Sequence, residues 1–466
     1  MKTSGKTQAL PLALLALSGL AALTASPGAQ AVPSFSRQTG ASCAMCHTTA
    51  FGPNLNPYGR EFKLNGYVWD SGKNDTYIPP ISAMVVGSFT NTKQDQDTPP
   101  GPVNRQGNNI QGFNTNNNFA FDEASLFYAG KIWGKVGAFS QLTYDGVADT
   151  LFLDNTDLRF ADQVDLFDQD VVFGISANNN PTVQDLWNTT PAWGFPFASS
   201  PVAPTPAAAT MLDGGVSGIA TGQVGGATAY AMVNRLLYVE AGAYGSFQNS
   251  FMKGTGNYNN WGSPPLNRID GGAPYWRIAL QKDWDGHYFE LGHYGMTANV
   301  FPNGQHGAGT DNYTDLAFDA TYQYLANLEH IAELKTTYIR ENRDLTASAN
   351  IGSVLNRANY VDTFKINGTY TYAQTYSVAL GYNKTWARTD TTFDAETGEI
   401  LPGGNNGHEY FTAELSYVPF GKTYTPLASL LNLRLALQYI GYTQFDGSQY
   451  QVGNNNTFLV NGWLAF

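Results

Sequence analysis

From Ser82 onward the chain alternates with period two. Between Tyr313 and Tyr324, residues Leu316, Phe318, Ala320, Tyr322 and Tyr324 fall on one face with Thr314, and Tyr313, Asp315, Asp319, Thr321 and Gln323 fall on the other with Ala317. Asn327 to Tyr338 repeats the pattern, with Leu328, Ala332, Leu334 and Tyr338 set against Glu329, Glu333, Lys335 and Thr337. Leu431, Leu433, Leu435, Leu437 and Tyr439 likewise alternate with Asn432, Arg434, Ala436 and Gln438. Strands of ~10 residues with one apolar and one polar face are what a membrane-spanning β-barrel requires. We place strands near 82–92, 117–131, 135–146, 152–163, 166–177, 216–233, 237–247, 273–283, 286–297, 313–324, 327–342, 359–371, 375–388, 408–420, 428–444 and 455–466. Their connections mostly alternate between short (Trp133-Gly134, Leu325-Ala326) and long (93–116, 178–215, 389–407), as in bacterial outer-membrane barrels. The fold class expected is therefore all-β, an antiparallel barrel of about 16 strands preceded by a small helical segment. A soluble sandwich is disfavoured, because its strands are about half this length. Phe458, Val460, Gly462, Leu464 and the terminal Phe466 share one face, which resembles the C-terminal strand of outer-membrane barrels.

The N-terminus departs from this pattern. Lys2 and Lys6, the apolar run Ala9 to Leu23 and the small-x-small triplet Ala29-Gln30-Ala31 read as a secretory leader cleaved near Val32. No later stretch offers ~20 continuous apolar residues for a transmembrane helix. Residues 32–79 carry two short helical signals. In the clearer one, Asn56 suits the cap, Pro57 the first helical position and Gly66 the stop. The division expected is leader 1–31, a small helical segment 32–79 and a barrel over 80–466.

Composition narrows the partners. The formal charge is −12, with 25 basic and 37 acidic residues and no basic run, which argues against nucleic acid. Charged residues make up only 13% of the chain, so the polar strand faces rest largely on uncharged polar side chains. The carboxylates of inward parity are Glu123, Asp157, Glu240, Glu290, Asp315, Asp319, Glu329, Glu333 and Glu414. Arg159, Arg277, Lys335 and Arg434 share that face, so cross-strand pairing is expected rather than a cation site. The segment 178–215 is too long and too aromatic for an idle loop; it either folds into the lumen or caps the outside.

Chemistry concentrates in Cys43-Ala44-Met45-Cys46-His47, which holds the only two cysteines. Two thiols one helical turn apart, followed at once by histidine, are what one haem c needs: two thioether links and a proximal iron ligand. Zinc would need two further ligands nearby, and none follow. A segment of this size cannot bury a haem alone, so it should borrow walls from the barrel, at or inside the periplasmic mouth. For the distal ligand, Met84 is the candidate. It lies on the inward face of the first strand, close in sequence to the haem segment.

The stretches Pro33–Gly40, Leu55–Tyr67 and Asn178–Trp193, together with the haem motif, resemble the outer-membrane cytochrome–porin fusions of iron-oxidising bacteria. That resemblance implies oxidation of extracellular Fe(II), with electrons passed to a periplasmic cytochrome or copper protein, by an oxidoreductase seated in outer-membrane lipid. It carries over Cys43, Cys46 and His47. Two other readings stand beside it. One is a transport porin plugged by its haem peptide, and the other is a haem oxidoreductase for another small donor.

Overall fold

The structure is a computed structural model that describes residues 32–72, 79–102, 111–206, 208–258, 267–387, 392–393, 400–401, 407–424 and 430–466. The leader 1–31 and most of 389–407 lie outside the described residues. Sixteen long strands form one closed antiparallel sheet: β1 (Ile81–Thr92), β2 (Asn118–Trp133), β3 (Val136–Asp145), β4 (Thr150–Leu166), β5 (Gln169–Asn178), β6 (Val224–Val233), β7 (Leu237–Ser246), β8 (Ala273–Trp284), β9 (His287–Phe301), β10 (Asp311–Tyr324), β11 (His330–Asp344), β12 (Ala358–Tyr372), β13 (Tyr376–Ala387), β14 (Glu409–Tyr417), β15 (Asn432–Gln444) and β16 (Thr457–Ala465). Each pairs with its sequence neighbour, and β1 closes on β16 with Met84 opposite Ala465 and Phe89 opposite Val460. Closure leaves no long strand edge unpaired.

Alternation in sequence becomes inside and outside in space. Along β1 the even-numbered residues from Ser82 to Thr92 are buried and the odd-numbered ones partly or fully exposed. Outward-facing Leu126, Leu151, Ile175, Leu291, Leu380 and Leu415 are exposed, which suits a lipid-facing band. Large aromatics gather at the ends bearing short turns, with Trp133 80% exposed and Trp284, Tyr372, Tyr376 and Tyr417 also exposed, as in an interfacial girdle.

The structure departs from the sequence reading in three places. The strand expected at 216–233 begins only at Val224. Residues 214–222 instead run as turns through left-handed Gly214, Gly218 and Gly222, burying Val216 and Ile219 in a lumenal cluster with Met211 and Tyr244. Short and long connections do not alternate strictly, since β3 and β4 are joined by only Gly146–Asp149. Glu329 sits exposed in the turn before β11, where it accepts from Tyr372 Oη at 3.0 Å, rather than on an inward strand face.

Three helices precede the barrel: α1 (Pro33–Thr39), α2 (Cys43–Cys46) and α3 (Pro57–Leu64). They lie in the lumen at the end bearing the short turns and both barrel termini. The Ser34 hydroxyl donates to Ala129 O (2.8 Å), Asn432 Nδ2 to Ala50 O (2.7 Å), Arg60 Nη1 to Gln323 Oε1 (2.9 Å) and Tyr230 Oη to Leu64 O (2.7 Å). These partners come from well-separated strands, so the segment is ringed by wall.

Short turns face the periplasm in barrels of this kind. Epitope tags in 93–116 or 389–407 are therefore expected to react with antibody on intact cells. Tags at Trp133-Gly134 or Leu325-Ala326 should react only after permeabilisation. The reverse pattern would invert the orientation.

Candidate functional site

The site grows from two short helices held close together. Asn56 Oδ1 accepts from Gly59 N (3.1 Å) and starts α3 as expected, and Asn56 Nδ2 donates to Met45 O (2.8 Å) on α2. Gly59 makes the close approach possible. A Cβ there would lie 2.3 Å from Cys46 O, so no other residue fits without moving the thiol helix. His47 then leaves α2 in extended conformation, with its backbone N–H on Cys43 O.

Beside Cys43, Cys46 and His47 opens a cavity of about 770 Å³, its mouth included. Its walls are mostly apolar: Phe35, Phe62 and Tyr67 come from the N-terminal segment, Phe139 from β3 and Trp193 from the long segment after β5. Phe139 and Trp193 pack at 6.0 Å between ring centroids, so barrel wall and lumenal loop complete the enclosure that the small segment lacks. Both cysteines are free thiols. Burial pushes Cys46 up to about 12 and raises Cys43, so both are protonated at neutral pH. Burial lowers the His47 imidazole to about 4, leaving it neutral with a lone pair to offer. His47 Nδ1 is buried without a hydrogen-bond partner. A neutral imidazole, two adjacent thiols and an aromatic-lined cavity beside them all fit a covalently held haem.

Met84 packs in the same apolar cluster as the cavity residues Val32, Phe62, Tyr67, Phe139 and Trp193. It points inward as parity required and is 2% exposed, but it does not line the cavity, and its sulfur accepts the Trp463 indole N–H at 2.8 Å.

The described residues of 179–223 fold into the lumen rather than capping the outside. Trp187 is fully buried, and Trp193 Nε1 donates to Val183 O (2.9 Å). Lys63 on α3 reaches it through Val183 O (2.9 Å) and Asn188 Oδ1 (3.0 Å). Arg277 on β8 gathers Asp319 (2.6 Å), Glu290 (3.3 Å) and the loop's own Asp185 (3.4 Å), all with fully buried side chains. Arg159 pairs with Asp157 (2.6 Å) and donates to Lys63 O (3.0 Å) and Gln184 O (2.8 Å). The expected cross-strand pairing is present, and Asp185 is the member that strand parity missed, because it lies on no strand. Wall residues that would face water in an open channel do not do so. Gln141, Asp157, Ser176, Glu290, Asp315 and Glu341 are 0% exposed.

No family model matches the chain, and no curated protein matches it. Solved structures of similar shape include the outer-membrane channel DcaP of Acinetobacter baumannii at 12% identity, covering 83% of this chain and 96% of that one, with a TM-score of 0.44. OmpF of Salmonella typhi, in complex with daunomycin, is similar at 14% identity, with 83% and 97% covered and a TM-score of 0.45. OprB of Pseudomonas putida is similar at 13% identity, with 83% and 94% covered and a TM-score of 0.45. The class that the sheet itself defines is a closed sixteen-stranded barrel with an apolar outer face and a filled lumen.

Removing Arg277 would leave Asp185, Glu290 and Asp319 buried together without the guanidinium that pairs with all three. Breaking a buried pair in this way costs about 3–5 kcal/mol. Arg277→Ala is expected to lower stability by that order in denaturant unfolding of the detergent-solubilised barrel and to expose 179–223 to protease. Unchanged cleavage would show that the loop is held elsewhere.

Proposed function

We propose that the chain is an outer-membrane electron-transfer protein with one haem c, linked through Cys43 and Cys46 and ligated by His47. It takes electrons from an extracellular donor and passes them to a periplasmic cytochrome or copper protein. Fe(II) is the donor that the family resemblance implies. The observation carrying the reading is the coincidence of the Cys-x-x-Cys-His motif with an aromatic cavity that neither the segment nor the barrel could enclose alone. When bound, the haem supplies a reversible one-electron couple. The chain's own residues hold, insulate and orient. Cys43 and Cys46 would hold it covalently, the neutral His47 would offer its lone pair, and Phe35, Phe62, Phe139 and Trp193 would exclude water.

A transport porin is the second reading, favoured by the strand number, since 16–18-stranded barrels enclose an aqueous channel. Against it stands the burial of the inward side chains, because channel-lining residues keep contact with water. Planar-bilayer conductance separates the two readings. The conduit is expected to conduct far less than an open porin, and porin-scale conductance would favour transport.

Cys43→Ala or Cys46→Ala is expected to abolish stable covalent haem, seen as lost in-gel haem staining, while the barrel still inserts. Wild-type staining in both variants would remove the reading. Stopped-flow mixing of the purified ferric protein with Fe²⁺ should give a saturable reduction. Reduction by other donors but not by Fe²⁺ would leave the electron-transfer role and remove the iron assignment.

A further inference from the structure

The cavity is short of a distal ligand, and the whole sequence can be searched for one. Apart from the initiator, the methionines are Met45, Met84, Met211, Met232, Met252 and Met296, and the histidines other than His47 are His287, His293, His306, His330 and His408. None of them lines the cavity. The Met84 sulfur is held by Trp463 (2.8 Å), and Met45 is 51% exposed. Met211 and Met296 pack in one separate lumenal cluster and Met232 in another. His293 Nδ1 meets Ala317 O (2.8 Å), and His408 Nε2 meets Thr385 Oγ1 (2.9 Å). Lys63 does line the cavity, and burial lowers its ammonium to about 7, but its Nζ is taken up by donating to Val183 O, Asp185 O and Asn188 Oδ1. The Tyr67 hydroxyl is engaged with Asp157 at 2.7 Å.

One further nitrogen appears only after export. Val32, the residue following Ala29-Gln30-Ala31, lines the same cavity as Cys43, Cys46 and His47. Hydrolysis of the Ala31–Val32 peptide bond leaves a carboxylate on Ala31 and a primary amine on Val32. New chain ends usually fray, but this one is pinned. Val32 O accepts from Phe35 N (3.1 Å), Ser34 N donates to Ser82 Oγ (2.8 Å), and the Ser34 hydroxyl donates to Ala129 O (2.8 Å). Among the described residues no carboxylate lines the cavity. A primary amine can give its nitrogen lone pair to a metal.

We propose that the distal haem ligand is the α-amino group of Val32, created by removal of the leader. The inference rests on the proposed haem site and on cleavage before Val32. It assigns the coordination to the maturation step, so that the unprocessed chain cannot complete its site.

The test uses the purified, haem-loaded mature protein. Mass spectrometry should place the N-terminus at Val32, and absorption and electron paramagnetic resonance of the ferric form should show a low-spin, six-coordinate haem. Met84→Ala should keep that spectrum. One alanine inserted between Ala31 and Val32 moves the amine by one Cα–Cα step of about 3.8 Å and should convert the spectrum to high spin. Acylation by an amine-reactive reagent should spare Val32 in the native protein and reach it once excess cyanide occupies the iron. The proposal is overturned by a different N-terminus, a high-spin wild-type haem, a low-spin spectrum lost with Met84, a verified insertion that stays low-spin, or Val32 acylation indifferent to cyanide. Absence of covalent haem altogether would instead overturn the proposed function.

Discussion

A barrel of sixteen strands encloses more space than its inward side chains can fill. Water or protein must take up the remainder, and here protein does. The N-terminal helices enter from the end bearing the short turns, and the segment 179–223 comes down from the end bearing the long loops. Arg159 is where wall, helix and loop meet. One guanidinium pairs with Asp157 on its own strand and donates to carbonyls of both Lys63 and Gln184. Arg277 repeats the arrangement with Asp319 and Glu290 from the wall and Asp185 from the loop. Buried ion pairs contribute little net stability against an apolar alternative, but each is costly to break once formed. They therefore fix one position of the filling segments rather than adding strength to the sheet.

That constraint shapes the cavity. Residues 32–72 are too few to surround a large flat ligand, and an isolated segment of this size has little core. Placed inside the lumen, the segment gains Phe139 from β3 and Trp193 and Asn188 from the loop as walls. The cavity is complete only when barrel closure, entry of the segment and docking of the loop have all occurred. Gly59 sets the inner limit, because it lets α3 press against Cys46 O and keeps both thiols on the cavity side.

Much of this was legible in the sequence because two signals are local. Period two over ten or more residues marks a strand with one wet and one apolar face. Cys43, Cys46 and His47 carry their spacing with them, and Asn56-Pro57 announces α3 one residue before it begins. Long-range placement was legible only in part. Parity correctly turned Met84 inward, but parity gives direction and not depth or neighbour, so the Trp463 contact was invisible. Asp185 escaped notice as a partner of Arg277 because a loop residue has no parity. The apolar residues of 216–223 read as strand because Val216, Ile219 and Ala220 sit beside a true strand. Their turn glycines were the contrary signal.

The packing also bears on direction. A second cavity of about 400 Å³ is lined by Phe195, Phe197, Lys365 and Asn367, and it shares Asn188 and Trp193 with the first. Those two side chains are thus a common wall. Trp193 is fixed on one side by its indole bond to Val183 O and carries Lys63 Nζ 4.4 Å from its ring centroid. Asn188 is fixed by donating to Pro53 O at 2.8 Å. Cys43, Cys46 and His47 border the same cavity from the thiol helix. On the proposed reading, an electron arriving from outside crosses packed aromatic protein at Trp193, whereas one leaving meets little more than the thiol helix. The two ends of the path therefore differ in kind. The outer end is a fixed wall of the fold, and the inner end is the thiol helix, whose Met45 is 51% exposed.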